Sequence, residues 1–325
     1  MAGGQERLLR RRIKSIQSTQ KITRAMELIA ASRIVKAQAA VVAAHPYSET
    51  ITQVMRDLAT GGGAGDSPLL NPRDEIRRVA FIVVAADRGL SGAYNSSVIR
   101  EAERALQAQQ AIGRDYSLVL VGRKVESYFR YRGYRIDAVF TGFTEQPTYE
   151  DARRVGAAAT SAFLAGDTDL VEIVYTRFVS AGTQEVVRQT LMPLARDDVD
   201  ESPTPTGDET VPASYEFEPS PEAILDLLLP RYVDSRVYAA LLNAAASEHA
   251  ARQRAMSAAT ENADELITSL SRVMNRARQD SITTEIMEIV SGAEALRSGT
   301  TEPDYLADTI EGRDADLFSA RVSEG

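Results

Sequence analysis

Residues Arg231 to Ser291 read RYVDSRVYAALLNAAASEHAARQRAMSAATENADELITSLSRVMNRARQDSITTEIMEIVS, without a single Gly or Pro. Alanine and long unbranched side chains dominate, and these lose little entropy in a helix. Pro230 stands where a missing N–H costs nothing, and Gly292 follows where a left-handed cap is expected. A continuous helix of this length makes a rod of ~90 Å. That is several times an ordinary globular helix, so the rod is expected to leave the globular part and find partners elsewhere.

Working outward, Gln5 to His45 also lacks Gly and Pro, giving a second helix of ~60 Å. Leu9, Ile13 and Ile16, then Ile22, Met26 and Ile29, recur at spacings of three or four and define one face. Thr19, Gln20 and Thr23 interrupt that stripe. Pro46 is expected to kink or end the helix near His45, with a further helical segment from Tyr47 to Thr60. In the C-terminal rod Leu266, Leu270, Val273 and Ala277 step by four, three and four, the spacing of a heptad seam, and Ile282, Ile286 and Ile289 continue it. Pairing the two helices as an antiparallel coiled coil is the economical arrangement. The Ala-rich stretch from Asn243 to Asn262 suits a close approach.

Between the helices the period changes. Arg78–Ala86 is a buried strand by its β-branched run. Further strands are expected at Ser117–Val121, Ile136–Phe140 and Leu170–Val179, with Glu185–Leu194 antiparallel to the last across the Ser180–Gln184 turn. Helices are expected from near Asn95, over Lys124–Tyr131 and over Tyr149–Leu164. Alternating strands and helices point to an open parallel sheet with right-handed crossovers. The fold class is therefore α/β: a long antiparallel coiled coil of N- and C-terminal helices with an inserted Rossmann-like open α/β domain. The expected boundaries are a coiled-coil helix over 1–60, the α/β domain over 75–195, an acidic linker over 196–220, the second coiled-coil helix over 221–298 and a flexible acidic tail over 299–325.

Composition narrows the chemistry. With no Cys there is no disulfide, thiolate metal site or thiol switch, and His45 and His249 are the only histidines. No apolar run is expected to cross a bilayer, and the N-terminus lacks a secretory core. The net charge of −9 is divided unevenly: nine Lys/Arg in the first 40 residues oppose only Glu6 and Glu27, whereas Asp197 to Glu222 is wholly acidic. Such a split marks partner surfaces of opposite sign. The turn Asp87-Arg-Gly-Leu-Ser-Gly92 sits where phosphates bind in doubly wound folds, but it is neither GxGxxG nor a Walker pattern. It reads as a structural βα turn. Asp197, Asp198, Asp200 and Glu201 lack the spaced Gly and closing Glu of a calcium loop and read as solvated linker. Neither histidine has a Ser or Cys partner in a recognisable signature. The basic face of Arg10, Arg11, Arg12, Lys14, Lys21 and Arg24 has no interleaved aromatics for nucleic acid; acidic protein is the better functional reading, and a merely solvated face stands beside it. No catalytic constellation, metal site or cofactor is expected.

Ile13–Gln38, IKSIQSTQKITRAMELIAASRIVKAQ, closely resembles the N-terminal helix of the γ subunit of F-type ATP synthases. The turn ADRGLSGAYN after the first strand is similar to one that marks that family. RYVDSRVYAALLNAAASEHAARQRAMSAATENA and NRARQDSITTEIMEIVSGAEAL resemble its signature helix, and the resemblance runs from Ala2 to about Leu296. It implies a central-stalk rotor without a catalytic site of its own, coupling proton flow through a membrane ring to ATP synthesis or hydrolysis. The implied partners are the α and β subunits of a catalytic hexamer, the ε subunit and the membrane c-ring, with no nucleic acid. The implied place is the cytoplasmic side of a bacterial cell membrane, as a peripheral subunit; no mitochondrial-type presequence is expected. By position in the motifs, Lys21, Arg24, Met26, Arg278, Gln279 and Thr283 match contacts to β subunits, and Tyr215 and Glu218 match the region that touches the ring. The paired Cys of chloroplast members are absent, and the tail past Arg297 extends beyond the family's usual end. Two other readings are a nucleotide-binding α/β protein with a coiled-coil arm, needing phosphate contacts at Asp87–Gly92, and a basic coiled-coil nucleic-acid binder.

Overall fold

The computed structural model describes residues 2–58, 69–73, 75–193 and 221–299, so the acidic linker, the tail from 300, Tyr215 and Glu218 lie outside the described residues. The elements in chain order are α1 (Ala2–Leu58), β1 (Arg78–Val84), α2 (Tyr94–Ala111), β2 (Asp115–Val121), α3 (Arg123–Tyr131), β3 (Ala138–Phe140), α4 (Tyr149–Leu164), β4 (Leu170–Phe178), β5 (Gln184–Met192) and α5 (Pro221–Gly299). They fall into two compact units: residues 2–18 with 263–299, and the described residues between 19 and 262.

The larger unit is built on one sheet of order β3-β2-β1-β4-β5. β1 pairs parallel with β2 and with β4, β2 pairs parallel with β3, and β5 closes the edge antiparallel to β4. Successive residues of β1 point to opposite faces, and both faces are covered. Ala80, Ile82 and Val84 join one core with α4, the end of α1 and Leu229, Tyr232, Val233, Val237 and Leu241 of α5. Val79, Phe81 and Val83 join a second core with α2 and α3. An uninterrupted apolar strand is the sequence mark of such two-sided burial. Thr148 caps α4 through a reciprocal pair with Asp151, whose side chain accepts from the Thr148 N–H while Thr148 Oγ1 accepts from the Asp151 N–H.

The rod was expected to stand clear of the domain, and over this part it does not. Ala240, Ala244, Ala245, Ala246 and Ala250 are all buried, so α5 is a layer of the sandwich here. Asn243 Oδ1 accepts the Phe178 N–H at 3.2 Å, and Ser247 Oγ donates to the Thr176 carbonyl at 3.1 Å. The alanine run therefore serves close docking on the sheet as well as on α1. The helices run antiparallel: Thr23 meets Thr260, whereas Val41 to Ser48 line the same cavity as Arg231 to Asn243.

Three expectations need correction. α1 passes through Pro46 without ending. The carbonyl that loses its partner is that of Val42, on an exposed turn where water can replace the missing N–H. Gly292 does not cap α5, which continues to Gly299 and also contains Pro230. The apolar stretch within Gly4–Met55 is long enough for a membrane span by composition, contrary to expectation; it holds the buried Ala30 and Ile34 and the ion-paired Arg33.

The seams also shift phase. In the larger unit the seam on this part of α1 runs through Gln20, Thr23, Glu27, Ala30 and Ile34, with Met26 half-buried beside it, while Ile22 and Ile29 are more than half exposed. In the smaller unit Leu9, Ile13 and Ile16 face inward as expected, and so do Leu270 and Ala277 of α5, joined by Ala263, Ile267 and Met274. Leu266 and Val273 point out, as do Ile282, Ile286 and Ile289. A heptad step keeps one phase along a pair, and that phase carries the seam through polar Gln20 and Thr23. Ile22, Ile29, Leu266 and Val273 are left outside it, while Ile13, Ile34, Ile267 and Leu270 lie within. Thr23 and Thr260, both buried, meet at 2.8 Å between hydroxyls. Thr23→Val and Thr260→Val are each expected to cost about 1 kcal/mol, with the double change costing less than the sum. Urea unfolding of the full-length chain checks this.

Candidate functional site

The residues matched to β-subunit contacts do not form one cluster. Lys21 and Arg24 are exposed on α1, Met26 is half-buried beside them, and Arg24 pairs with Glu27 at 3.0 Å. Arg278, Gln279 and Thr283 are exposed on α5 in the smaller unit. Five of the six are exposed helical residues and Met26 is half-buried, positions that another chain can reach.

The densest polar constellation lies where α1, α5 and two loops of the sheet meet. Glu145, in the β3–α4 loop, accepts from Arg33 of α1. Its carboxylate also lies 3.6 Å from Arg252 of α5 and 3.8 Å from Arg88 of the β1–α2 turn. Arg252 donates to Glu248 one turn back and reaches the Gly89 carbonyl at 3.4 Å. His249 is buried, with Nε2 3.1 Å from the Glu145 carbonyl, so that nitrogen carries the proton. Burial holds its imidazole below the usual range and therefore neutral. Four chain segments are thus tied at one carboxylate: the Arg252–Glu248 pair is all but closed to water, whereas Arg33 and Arg88 are 33% and 73% exposed, and breaking the buried pair is the costly change.

Glu248 is the exception in this cluster. Its burial, with Glu145 and Asp87 nearby, pushes the carboxyl up to about 7 despite Arg252. The folded state then binds more protons than the unfolded one. Its contribution to stability is complete below the ordinary Glu range and is lost as pH rises towards 7. Glu248→Gln is expected to flatten the decline of melting temperature between pH 5 and 8, and to look more favourable at pH 8 than at pH 5. A parallel pH series on the parent and variant chains tests it.

The Asp87–Gly92 turn is turned inward. Asp87 Oδ2 accepts from Gly142 N at 2.8 Å and from Thr144 Oγ1 at 3.1 Å, and Oδ1 accepts from Arg123 N at 3.2 Å. Asn95 Oδ1 takes the Ala86 N–H at 2.9 Å. Gly122, at φ +104°, brings the β2–α3 turn so close that an added Cβ would lie 2.2 Å from the Ala85 carbonyl oxygen. The carboxylate of this turn thus welds three loops at the carboxyl end of the sheet. The structural reading of the turn accounts for each of these bonds.

Sequence reasoning missed Glu145, Arg33 and Arg252. Glu248 and Arg252 stand four apart, a visible helix pair. Glu145 is one acid in a loop, and its cations arrive from residues 57 to 112 positions away, so no local signal marks it.

Residues 5–296 match the sequence pattern of the family described as ATP synthase. The ATP synthase gamma chain of Frankia casuarinae is 51% identical over 91% of this chain and 99% of its own length. That of Kineococcus radiotolerans is 49% identical over 91% and 98%, and that of Streptomyces coelicolor 46% over 93% and 99%. Among solved structures, a chain of the Euglena gracilis mitochondrial ATP synthase (OSCP/F1/c-ring, rotational state 3) superposes with TM-score 0.63 at 18% identity, covering 93% of this chain and 97% of that one. A chain of the Tetrahymena thermophila mitochondrial ATP synthase central stalk/c-ring gives 0.57 at 24%, covering 73% and 99%. These two likenesses are of fold. Together with the relatives at about half identity across nearly their whole length, the family pattern makes the assignment plain: the chain belongs to the ATP synthase gamma-chain family.

Proposed function

We propose that the chain is the central-stalk rotor of a proton-translocating F-type ATP synthase and carries no catalytic site of its own. The observation that supports it best is the apolar surface that the seam leaves uncovered. Leu266, Val273, Ile286 and Ile289 are about half exposed or more, on a helix whose covered stripe is Ala263, Ile267, Leu270, Met274 and Ala277. Large apolar side chains left outside a long helix call for a surrounding partner. α and β subunits forming a sleeve supply one, and the asymmetry of the shaft would then set their catalytic sites in different states.

In this reading residues 1–60 and 221–298 are the shaft, 75–195 are the foot, 196–220 link foot to shaft, and 299–325 extend past it. Lys21, Arg24 and Met26 face the lever of a β subunit, and Arg278, Gln279 and Thr283 hydrogen-bond a catching loop of β. Tyr215 and Glu218 touch the polar loops of the c-ring, with the ε subunit beside the foot. The protein would lie peripherally on the cytoplasmic face of a bacterial cell membrane. The clamp of Arg33, Glu145, Glu248 and Arg252 lies where torque would pass between shaft and foot.

Substitution of the α5 contact set tests the residue assignments. Arg278→Ala removes a charge-assisted hydrogen bond, so ATP hydrolysis by the reconstituted complex is expected to fall about tenfold. The melting temperature of the chain should not change, because Arg278 is exposed. Unaltered hydrolysis on combined Arg278→Ala, Gln279→Ala and Thr283→Ala would remove these residues from the contact.

A further inference from the structure

The strand order reverses at β1, which is followed by β2 on one side and flanked by β4 on the other. In doubly wound sheets, the crevice at the carboxyl ends of such a strand pair is where ligands bind. Here α5 lies against part of it: a Cβ placed on Gly92 would meet Ala255 Cβ at 3.7 Å. A cavity of about 440 Å³ remains, bounded by the turn before α2, the end of β4, the start of β5 and one face of α5.

Several independent features of this cavity favour an anion. None of its lining residues is acidic, and Arg254 stands among them. The Arg254 guanidinium donates to the Ala181 carbonyl and to Gln184 Oε1. These oxygens fix its position, and no carboxylate among the described residues neutralises it. The first turn of α2, a helix of 18 residues, opens on the cavity through Ala93, Tyr94 and Ser97 with no side-chain cap; its Tyr94 N–H donates to the Ser91 carbonyl at 3.2 Å, and the positive end of the helix dipole faces the cavity. Thr176, in the wall, is 4% exposed, and its Oγ1 is buried without a hydrogen-bond partner. A buried hydroxyl left unpaired is costly, and an acceptor entering the cavity would relieve it. Ser97 Oγ accepts a weak bond from Arg100 at 3.4 Å, which leaves its own proton free to donate. Gly92 and Ala93 add no bulk that would keep a ligand from the backbone.

We propose that this cavity binds one phosphate-class oxyanion, held by Arg254, the N-terminal turn of α2 and the hydroxyls of Thr176 and Ser97. The site is separate from the Asp87 carboxylate, whose oxygens are already occupied, and it needs no residue of the shaft contacts. Inorganic phosphate and the terminal phosphate of a nucleotide share the required chemistry.

Calorimetric titration of the full-length chain at low salt, once with inorganic phosphate and once with ADP, tests the proposal. One site per chain is expected. Arg254→Ala should weaken binding by about tenfold or more, the loss of a charge-assisted hydrogen bond. Thr176→Val should weaken it several-fold, and Thr176→Ser, which restores the hydroxyl, should bind as the parent does. Binding of phosphate without ADP assigns the site to the free ion, and ADP binding at least as tightly assigns it to a nucleotide. No heat with either probe, or affinities unchanged in Arg254→Ala and Thr176→Val, would overturn it. Should a variant not fold, phenylglyoxal labelling of the parent chain in the assembled complex decides the matter by peptide mapping. Phosphate is expected to slow modification of Arg254 selectively, and equal labelling with and without phosphate contradicts the site.

Discussion

Arg252→Ala is expected to lower the stability of the chain by about 3–5 kcal/mol at pH 8, the usual result of removing one partner from a buried ion pair. Arg252 and Glu248 are 7% and 1% exposed at their side chains. Taking the guanidinium away leaves Glu248 without its cation, strips Glu145 of one of three, and frees the Gly89 carbonyl. The loss should be partly recovered by adding Glu248→Gln, because the double variant no longer buries an unpaired carboxylate. Urea unfolding of the four chains completes the cycle. In the complex, the same variant is expected to keep the shaft inside its sleeve while loosening foot from shaft. Hydrolysis would then persist with reduced proton pumping. A loss below 1 kcal/mol would mean that the cluster is not the tie between α1, α5 and the sheet loops.

Gly122→Ala is expected to be as damaging for a different reason. The residue sits at φ +104°, which L side chains rarely adopt, and its Cβ would lie 2.2 Å from the Ala85 carbonyl oxygen and 2.8 Å from its carbon. The obstruction is backbone in the centre of the sheet, where Ala85 N is itself bonded to the Val121 carbonyl at 2.9 Å. Strained backbone and overpacking each cost on the order of 1–3 kcal/mol, so ~3 kcal/mol or more is expected in total. Gly142→Ala separates the two terms. Gly142 has φ +97° and nothing within 4 Å of an added Cβ, so it should show the backbone cost alone. Equal losses at the two positions would show that the close approach at Gly122 carries no energy.

The two long helices and the open sheet were legible because their signals are local. A run without Gly or Pro spells a helix, and the unbroken apolar run Val79–Val84, rich in β-branched residues, spells a strand covered on both faces. The helix over Tyr149–Leu164 fell where expected, with Thr148 and Asp151 marking its start. Phase was harder. Ile22 and Leu266 look like seam residues because apolar side chains are assumed to face inward, yet the seam continues through Gln20, Thr23, Ala263 and Ile267. Apolar side chains stand on both sides of these helices, so their spacing alone does not say which set the pair covers. Pro46 misled for a related reason: its cost depends on whether the abandoned carbonyl is exposed, which is a property of the packed structure. The ion cluster at Glu145 was invisible, since it is assembled from residues far apart in sequence that meet only when α1 and α5 dock on the same loops.

Rotation is the most direct test of the central claim. The chain has no Cys, so Tyr131→Cys, at an 89% exposed position in the foot, creates a unique attachment point. Reconstituted with α and β subunits fixed to a surface and carrying a bead at that cysteine, one copy of the chain per hexamer is expected. ATP should drive the bead in one direction through successive full turns, and hydrolysis should fall when the chain is omitted. Turnover that continues while the bead stays still, or that proceeds unchanged without the chain, would contradict the account.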